Sequence, residues 1–300
     1  MTRLVLFALP ATLLSLHPGF QIRHVWYLSV GSIIFQACLN LLLLRRLGRL
    51  HGPYRLFLSQ FPGTHEEFIK LSPRLQAVAL LPVQDPKAAA KELRRAVSEL
   101  GHVGAMLAAD GTHLLGDERF LPIYEEAERL GVMLGIHASG SHLGGAGVDL
   151  FPTFIQAHTC SHAFGQMRQL TSIVFEGIPE RFPRLRIAYL EAGCGWAPYW
   201  MERMDDEYAK RAEEAPALRK KPSEYIRSGS IYFSCEADEW LLPQALKLVG
   251  ENQIVYASDF PHWDHSFPQS IDEIRDRGDL SDAQKRKILG DNARRLYGLK

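Results

Sequence analysis

Short apolar segments alternate with amphipathic segments from residue 78 to the end of the chain. The apolar segments are rich in β-branched and aliphatic residues, and they predict six strands: Val78–Val83, Val103–Leu107, Val132–His137, Leu185–Glu191, Ile231–Cys235 and Ile254–Ser258. Each strand is followed by a helical segment, or by a loop and then a helical segment. This alternation predicts parallel βα units and an α/β fold, for which a TIM-like (β/α)8 barrel is the leading closed form.

Capping residues and glycines mark the ends of several predicted helices. Asp85 with Pro86 begins one helix, which Gly101 ends, and Gly131 ends the helix that begins at Pro122. Ser281 caps the last helix. The remaining helical segments cover roughly 151–176, a stretch that starts near 197–198, and 241–248. Start or stop signals therefore mark the helices that begin at Asp85, Pro122 and Ser281.

Residues 1–58 do not follow this pattern and are treated as a separate N-terminal segment, before a barrel over residues 59–300. Val25–Leu44 is a 20-residue stretch without a charge, long enough to span a bilayer, with Arg45, Arg46 and Arg49 after it. Met1–Leu16 also has the basic start and apolar middle of a signal peptide. Polar residues dilute Val25–Leu44, so a buried strand and helix of the barrel is favoured over membrane contact, and a cytoplasmic location over membrane association.

Composition narrows the choice of partners. The 300 residues are 46% hydrophobic, and 34 basic residues balance 34 acidic ones, so no basic field indicates nucleic acid. A small-molecule substrate is the expected partner, and a homo-oligomer is left open. The cysteines are Cys38, Cys160, Cys194 and Cys235, and their scattered positions predict reduced thiols.

Three predicted strands end in ionisable side chains, which are His137, Glu191 and Asp259. The carboxyl ends of barrel strands meet at one face, so these distant residues are expected to share a site. Imidazole with carboxylates suits zinc or manganese, and the metal would either activate a water or hold a substrate carboxylate. Taken singly, each residue could equally be an ordinary loop or core polar group.

Four further residues are candidates for substrate binding. His158 and His162 lie four residues apart and would share a helix face, although solvated helices show this spacing too. Trp196 follows Glu191 closely and would wall an apolar pocket, or simply pack a helix. His262 lies in the loop after the last strand, where it would contact substrate or only water.

Six segments resemble the amidohydrolase-related family of metal-dependent hydrolases, in the branch that includes aminocarboxymuconate-semialdehyde decarboxylase. They are VALLPVQDP, LGIHASG, VFEGIPERFPRLRIAYLEAGCGWAPYWMERMD, IYFSCE, IVYASDFPHWD and KILGDNARRLYGL, which together span roughly residues 56–300 in family-like order. The resemblance implies a TIM-like barrel with one catalytic divalent metal. It implies that His137 binds the metal and that Asp259 binds the metal and takes part in proton transfer.

Two features depart from the family pattern. Glu191 stands where many members carry a catalytic histidine, so a glutamate-based subgroup is expected. The HxH or ExH motif of the first strand, which supplies two metal ligands, is missing, and Leu4–Leu9 resembles the second strand instead. The barrel is therefore expected to be incomplete at its N-terminus.

The residues and the resemblance together predict a metal-dependent hydrolase or decarboxylase for a small carboxylated or cyclic substrate. Asp259 and Glu191 are the predicted catalytic residues, and His137 and Asp259 the predicted ligands of a zinc ion, with manganese as the alternative. The missing motif motivates a second hypothesis, a catalytically impaired barrel that acts as a binding or assembly partner. The two hypotheses differ in whether the protein binds a divalent metal.

Overall fold

A computed structural model of the chain describes residues 75–109, 113–137, 148–259 and 266–299. All of these belong to the second of two compact units, which covers Thr64–Lys300. The predicted segment boundary after residue 58, Val25–Leu44, the expected first-strand region and His262 lie outside the described residues. Within the described ranges, no helix is both long enough and apolar enough to cross a bilayer.

Six strands form a single parallel sheet in the described part of the chain. They are β1 (Ala79–Leu80), β2 (Gly104–Ala108), β3 (Met133–His137), β4 (Ile187–Leu190), β5 (Ile231–Cys235) and β6 (Ile254–Tyr256). They lie side by side in chain order, β1-β2-β3-β4-β5-β6, and each neighbouring pair is parallel. This sequential order is that of a (β/α)8 barrel, and it confirms the predicted α/β fold class.

The observed strands are mostly shorter than the apolar segments that predicted them. β5 has the predicted bounds, whereas β1 keeps only two of six residues. Pro82 lies within the predicted first strand and has no N–H to donate to a ladder, which limits the strand there. β6 ends at Tyr256, two residues before the predicted end.

Helices fill the connections between the strands, and three more follow β6 within the described residues. They are α1 (Pro86–Leu100), α2 (Leu121–Leu130), α3 (Phe154–Phe175), α4 (Ile178–Arg181), α5 (Ala197–Arg211), α6 (Pro222–Ile226), α7 (Leu242–Leu248), α8 (Gln269–Asp276), α9 (Asp282–Arg286) and α10 (Asn292–Tyr297). Short 3-10 turns cover Glu118–Phe120, Val148–Leu150 and Ala212–Glu214. A π-helical turn, Lys287–Asp291, joins α9 to α10, where the sequence predicts one continuous helix.

The predicted helix ends are found where the capping chemistry places them. Asp85 Oδ1 accepts a hydrogen bond from the N–H of Ala88 at 3.1 Å and so caps α1. Gly101 and Gly131 end α1 and α2 with φ angles of 70° and 69°, in the left-handed region that glycine enters without a steric cost. Ser281 caps α9 in a capping box with Gln284.

Successive residues of β3, β4, β5 and β6 pack into two different apolar clusters. One cluster includes Leu134, Tyr189 and Phe233, and the rings of Tyr189 and Phe233 stack with centroids 5.6 Å apart. The other includes Met133, Ala188, Tyr232 and Val255, which pack with Leu296 of α10. Both faces of the sheet are thus covered, as in other parallel sheets. The polar side chains are concentrated at the carboxyl ends of β3 to β6 and the residues that follow them, here called the carboxyl edge.

Candidate active site

A cavity of about 680 Å³ opens at the carboxyl edge. Its lining comes from α3, from the residues after β4, β5 and β6, and from α8. The chemically active groups in this lining include His158, His162, Glu191, Glu239 and Asp259. The volume lies within the usual range for small-ligand sites.

His137 and Glu191 form a close pair at the ends of two neighbouring strands. His137 is the last residue of β3, Glu191 directly follows β4, and the ladder pairs His137 with Leu190. His137 Nε2 lies 3.0 Å from Glu191 Oε2, and the two side chains are 37% and 19% exposed. Register alone therefore brings together two residues that are 54 positions apart in the chain, as the strand-end pattern predicts.

Glu191 and Asp259 share an unusual backbone conformation. Their φ angles are 62° and 52°, and among the described residues they are the two non-glycine positions with positive φ. Left-handed backbone costs an L-residue roughly 1–2 kcal/mol, and such strain is found most often at functional sites. At Glu191 the turn is secured by its N–H, which donates to Ser234 Oγ of β5 at 2.9 Å.

His158 and His162 lie on the same face of α3 and both line the cavity. Their ring centroids are 4.5 Å apart, and the ring of Phe154 stacks on His158 at 4.9 Å. His162 Nε2 lies 3.8 Å from Glu191 Oε2. Burial lowers the pKa of His162 because it removes water from the charged imidazolium, and the nearby Glu191 carboxylate only partly opposes this effect.

Trp196 stands behind the wall of the cavity rather than in its described lining. Its indole N–H donates to the Gly193 carbonyl at 3.0 Å, and its ring meets Phe233 edge-on at 5.4 Å. These contacts are those of a packing residue that braces the turn after Glu191. Trp196 therefore shapes the cavity through Gly193.

Glu239, which sequence reasoning missed, organises the same turn. Its Oε1 accepts hydrogen bonds from the N–H groups of Cys194, at 2.8 Å, and Gly195, at 2.5 Å. A side chain at Gly193 would place its Cβ 2.8 Å from the same oxygen, so Glu239 would have to shift away from the two N–H groups that it binds. The Cys194 thiol points at Glu239 Oε2 from 3.3 Å, and burial raises its pKa. The signal in the sequence is only the glutamate three residues after Glu236, in a loop.

Gln166 of α3 was also missed. It is fully buried, and its side-chain Nε2 donates to the carbonyls of Ile136, at 2.8 Å, and Leu190, at 2.7 Å. Those residues directly precede His137 and Glu191. A polar residue at helical spacing after His158 and His162 is the one pattern that points to it.

The described residues provide ligand groups of the right kind for a divalent metal, but not a complete set of metal ligands. Imidazole and carboxylate groups, from His137, Glu191 and Asp259, lie at or beside the cavity. Within the described ranges, no three His, Cys, Asp or Glu side chains are grouped so that they could hold an ion. The donor chemistry fits a metal, and any further ligands would have to come from other parts of the chain.

A parallel α/β barrel with imidazole and carboxylate groups at its carboxyl edge is typical of metal-dependent hydrolases and lyases. The sequence pattern of the amidohydrolase family matches residues 64–299. The chain therefore belongs to the amidohydrolase family, as the sequence segments indicated.

Curated relatives show which branch of the amidohydrolase family the chain resembles. The chain is 27% identical over 263 residues to 2-amino-3-carboxymuconate-6-semialdehyde decarboxylase of Dictyostelium discoideum, with 81% of this chain and 67% of the relative covered. It is 29% identical over 246 residues to gamma-resorcylate decarboxylase of a Rhizobium species, with coverages of 78% and 73%. The predicted aminocarboxymuconate-semialdehyde decarboxylase-like branch is confirmed, and the comparisons favour the predicted enzyme over an impaired binding protein.

Solved structures agree on the fold. The 2,6-dihydroxybenzoate decarboxylase from Rhizobium superposes with a TM-score of 0.65 at 27% identity, and the match covers 78% of this chain and 75% of the other. A dihydroxybenzoic acid decarboxylase from a Polaromonas species, solved with manganese and the inhibitor 2-nitroresorcinol, gives a TM-score of 0.63 at 24% identity, with coverages of 78% and 72%. The second structure shows a divalent metal in a protein of the same fold.

Proposed function

We propose that the chain is a metal-dependent decarboxylase of small aromatic carboxylates, with hydroxybenzoates as the first class to test. The observation that carries the proposal is the placement of the His137–Glu191 pair and Asp259 at one edge of a parallel sheet, beside a cavity of about 680 Å³. The names of the curated relatives support decarboxylation rather than hydrolysis. A small-molecule substrate suits the size of the cavity.

The proposed metal ligands in the described residues are His137 and Asp259. A neutral imidazole and a carboxylate together suit either manganese or zinc, and the manganese-bound structure of the same fold favours manganese. When bound, a divalent ion would hold the substrate carboxylate and its neighbouring oxygen and withdraw charge from them. We propose that the remaining ligands come from residues outside the described ranges.

Asp259 is the proposed proton carrier. Decarboxylation breaks the bond between the ring carbon and the carboxylate carbon, carbon dioxide leaves, and a proton must take its place on the ring carbon. The left-handed backbone at Asp259 turns its side chain out of the strand direction at the cavity wall. A carboxyl group at that position delivers the proton to the ring carbon and regains one from solvent.

Glu191 and the surrounding side chains prepare the site for this transfer. The Glu191 carboxylate holds the His137 imidazole at 3.0 Å and faces His162 at 3.8 Å, which restricts both rings. We assign His158 and His162 to contact with the substrate, and Trp196 to support of the wall. His262, which follows β6 in the sequence and lies outside the described residues, remains a proposed substrate contact.

The test is metal analysis and a decarboxylation assay on the purified chain. We expect bound divalent metal, turnover of 2,6-dihydroxybenzoate to resorcinol and carbon dioxide, loss of turnover after chelation, and its return with manganese. Repeating the reactivation with zinc in place of manganese, and comparing the two turnover rates, shows which ion the site prefers. A protein that holds no divalent ion, and stays inactive on hydroxybenzoates after either metal is added, would overturn the proposal. So would hydrolysis of an ester without any release of carbon dioxide.

A further inference from the structure

The inner face of α3 carries a polar stripe where a packed helix usually carries apolar residues. The stripe consists of His158, His162, Gln166, Gln169 and Ser172, spaced by three or four residues. The first two line the cavity, while the other three bond to the backbone of neighbouring segments. The helix therefore connects the cavity wall to the ends of the strands with one continuous row of polar groups.

Gln166 occupies the centre of this stripe and joins two strands. Its NH₂ group donates both hydrogens, one to Ile136 of β3 and one to Leu190 of β4. The next residues are His137 and Glu191, whose side chains meet at 3.0 Å. One amide thus fixes the two peptide groups from which the paired side chains project.

The chemistry at this position requires an amide. Both partners of Nε2 are carbonyl oxygens, so the group between them must offer two hydrogens. A carboxylate would set oxygen against oxygen, and an apolar side chain would leave two buried carbonyls without their donor. Among uncharged side chains of this length, glutamine alone supplies two donors on one atom.

The arrangement also has a cost that packing does not explain. Gln166 Oε1 is buried and accepts no hydrogen bond from the described part of the chain. An unsatisfied buried acceptor is destabilising, and such groups in native proteins call for a specific reason. Asn292 makes a useful contrast, because its NH₂ bridges the carbonyls of Glu251 and Ile254 while its oxygen accepts from Arg295.

We propose that Gln166 is a positioning residue of the active site, which holds the ends of β3 and β4 so that His137 and Glu191 keep their mutual orientation. The assignment of a catalytic consequence rests on the proposed function. The mechanical part, the fixing of two strand ends, does not depend on any activity. The two parts can therefore be tested separately.

The experiment compares Gln166→Met with Gln253→Met. Methionine keeps the length and volume of glutamine but donates no hydrogen bond. Gln253 is a matched control because it is buried too, and its Nε2 bridges two backbone carbonyls, those of Ile226 and Ile231, near the amino end of β5. Each variant is measured for Tm, for hydrogen–deuterium exchange of peptides covering 133–137 and 187–194, and for kcat and KM on 2,6-dihydroxybenzoate with manganese.

We expect both variants to lose a comparable amount of Tm. Only Gln166→Met should speed exchange selectively at the ends of β3 and β4, including the Glu191 amide that donates to Ser234. Only this variant should lower kcat, by about 10- to 100-fold, with little change in KM. Gln166→Glu, which fills the same volume but as a carboxylate donates neither hydrogen bond, should give the same pattern and serves if the methionine variant does not fold.

Two results would overturn the assignment. Unchanged exchange at the two strand ends in a folded Gln166 variant would remove the positioning role, whether or not the protein is a decarboxylase. Equal losses of kcat in the Gln166 and Gln253 variants would reduce Gln166 to a general stabilising residue. If the wild-type chain lacks decarboxylase activity, the proposed function fails, and the exchange measurement still decides the role of Gln166.

Discussion

The two edges of the parallel sheet are built from different kinds of residue. At the carboxyl edge, Glu191 and Asp259 adopt left-handed backbone although neither is glycine. At the amino edge, the turns that lead into β2 and β3 use Gly101 and Gly131 for the same backbone region. A Cβ added at either glycine would meet no atom within 4 Å. The amino edge is therefore relaxed, and strain is concentrated where the chemistry is proposed.

Buried amides show the same contrast. Asn292, near the amino edge, uses both ends of its amide, whereas Gln166 at the carboxyl edge leaves its oxygen without a hydrogen bond from the described residues. Barrels usually place catalysis at the carboxyl edge and stability at the amino edge. The difference between the edges in this chain follows that division. Substitutions should accordingly affect turnover at one edge and unfolding at the other.

The largest effect is expected from Asp259→Asn. The substitution removes the proposed proton carrier but should leave the fold intact, because asparagine tolerates left-handed backbone as well as aspartate does. We expect kcat on 2,6-dihydroxybenzoate to fall by about 10³-fold, with Tm unchanged. Steady-state kinetics and a thermal melt measure the two quantities. Turnover within tenfold of the wild type would show that Asp259 is not the proton carrier.

A smaller loss is expected from Glu191→Gln. The amide keeps the length of the side chain but removes the negative charge that holds His137 and faces His162. We expect kcat to fall by about 10- to 100-fold. The measurement is kcat with saturating manganese. The control is Glu207→Gln, at a half-exposed residue of α5 that is paired with Arg203. Equal activity of the two variants would remove Glu191 from the site.

Glu126→Gln tests stability away from the carboxyl edge. Arg129 and Arg94 both bind the Glu126 carboxylate and lower its pKa to about 2 from an ordinary value of 4.5. The folded-state pKa is depressed, so the stabilisation is complete above pH 4.5 and disappears as the pH falls towards 2. We expect the variant to lose about 1–2 kcal/mol of unfolding free energy at pH 7, a modest value because both arginines are largely exposed.

Urea unfolding at several pH values measures this difference, with kcat at pH 7 as a parallel readout. The gap between wild type and variant should close below pH 4.5, and kcat should stay unchanged. A gap that persists undiminished at pH 2 would mean that the Glu126 charge is not its source.

The smallest effect is expected from Gly131→Ala. Space is available for the methyl group, so the cost is the left-handed backbone alone, about 1 kcal/mol. Tm should fall by a few degrees while kcat remains that of the wild type. Ala127→Gly in the same helix gives a control for composition. A clear loss of turnover in Gly131→Ala would contradict the claim that amino-edge residues affect stability and not catalysis.

What could be predicted from the sequence follows the same division. The amino-edge turns were predictable because Gly101 and Gly131 act through their own backbone, which local sequence records. The start of α1 was predictable because the Asp85 side chain caps a helix only three residues away. The bounds of β5 were predictable because the mostly apolar, fully buried segment Ile231–Cys235 is followed directly by Glu236. Strand-end residues His137, Glu191 and Asp259 were identifiable as a group because parallel topology brings such ends together.

The remaining parts of the site depend on contacts that sequence distance hides. Gln166 acts on carbonyls 24 and 30 positions away, and Glu239 acts on N–H groups more than 40 positions away. A glutamine within a predicted helix is expected to face solvent unless its tertiary partner is known. For Trp196 the sequence left open a pocket wall or helix packing, and the contacts of its indole with Gly193 and Phe233 could not be read from local sequence.

The polar stripe of α3 sets the distance between the strand ends and the outer wall of the cavity. Gln166 at the strand ends and His158 at the cavity wall are eight residues apart, which at 1.5 Å per residue corresponds to about 12 Å of helix. Deleting one residue between them would turn the histidines about 100° away from the sheet, while adding about four would lengthen the wall by roughly one 5.4 Å turn and keep them facing inward. The reach of this site towards longer substrates is thus set in whole helical turns, and a relative with a deeper cavity should differ by such a step.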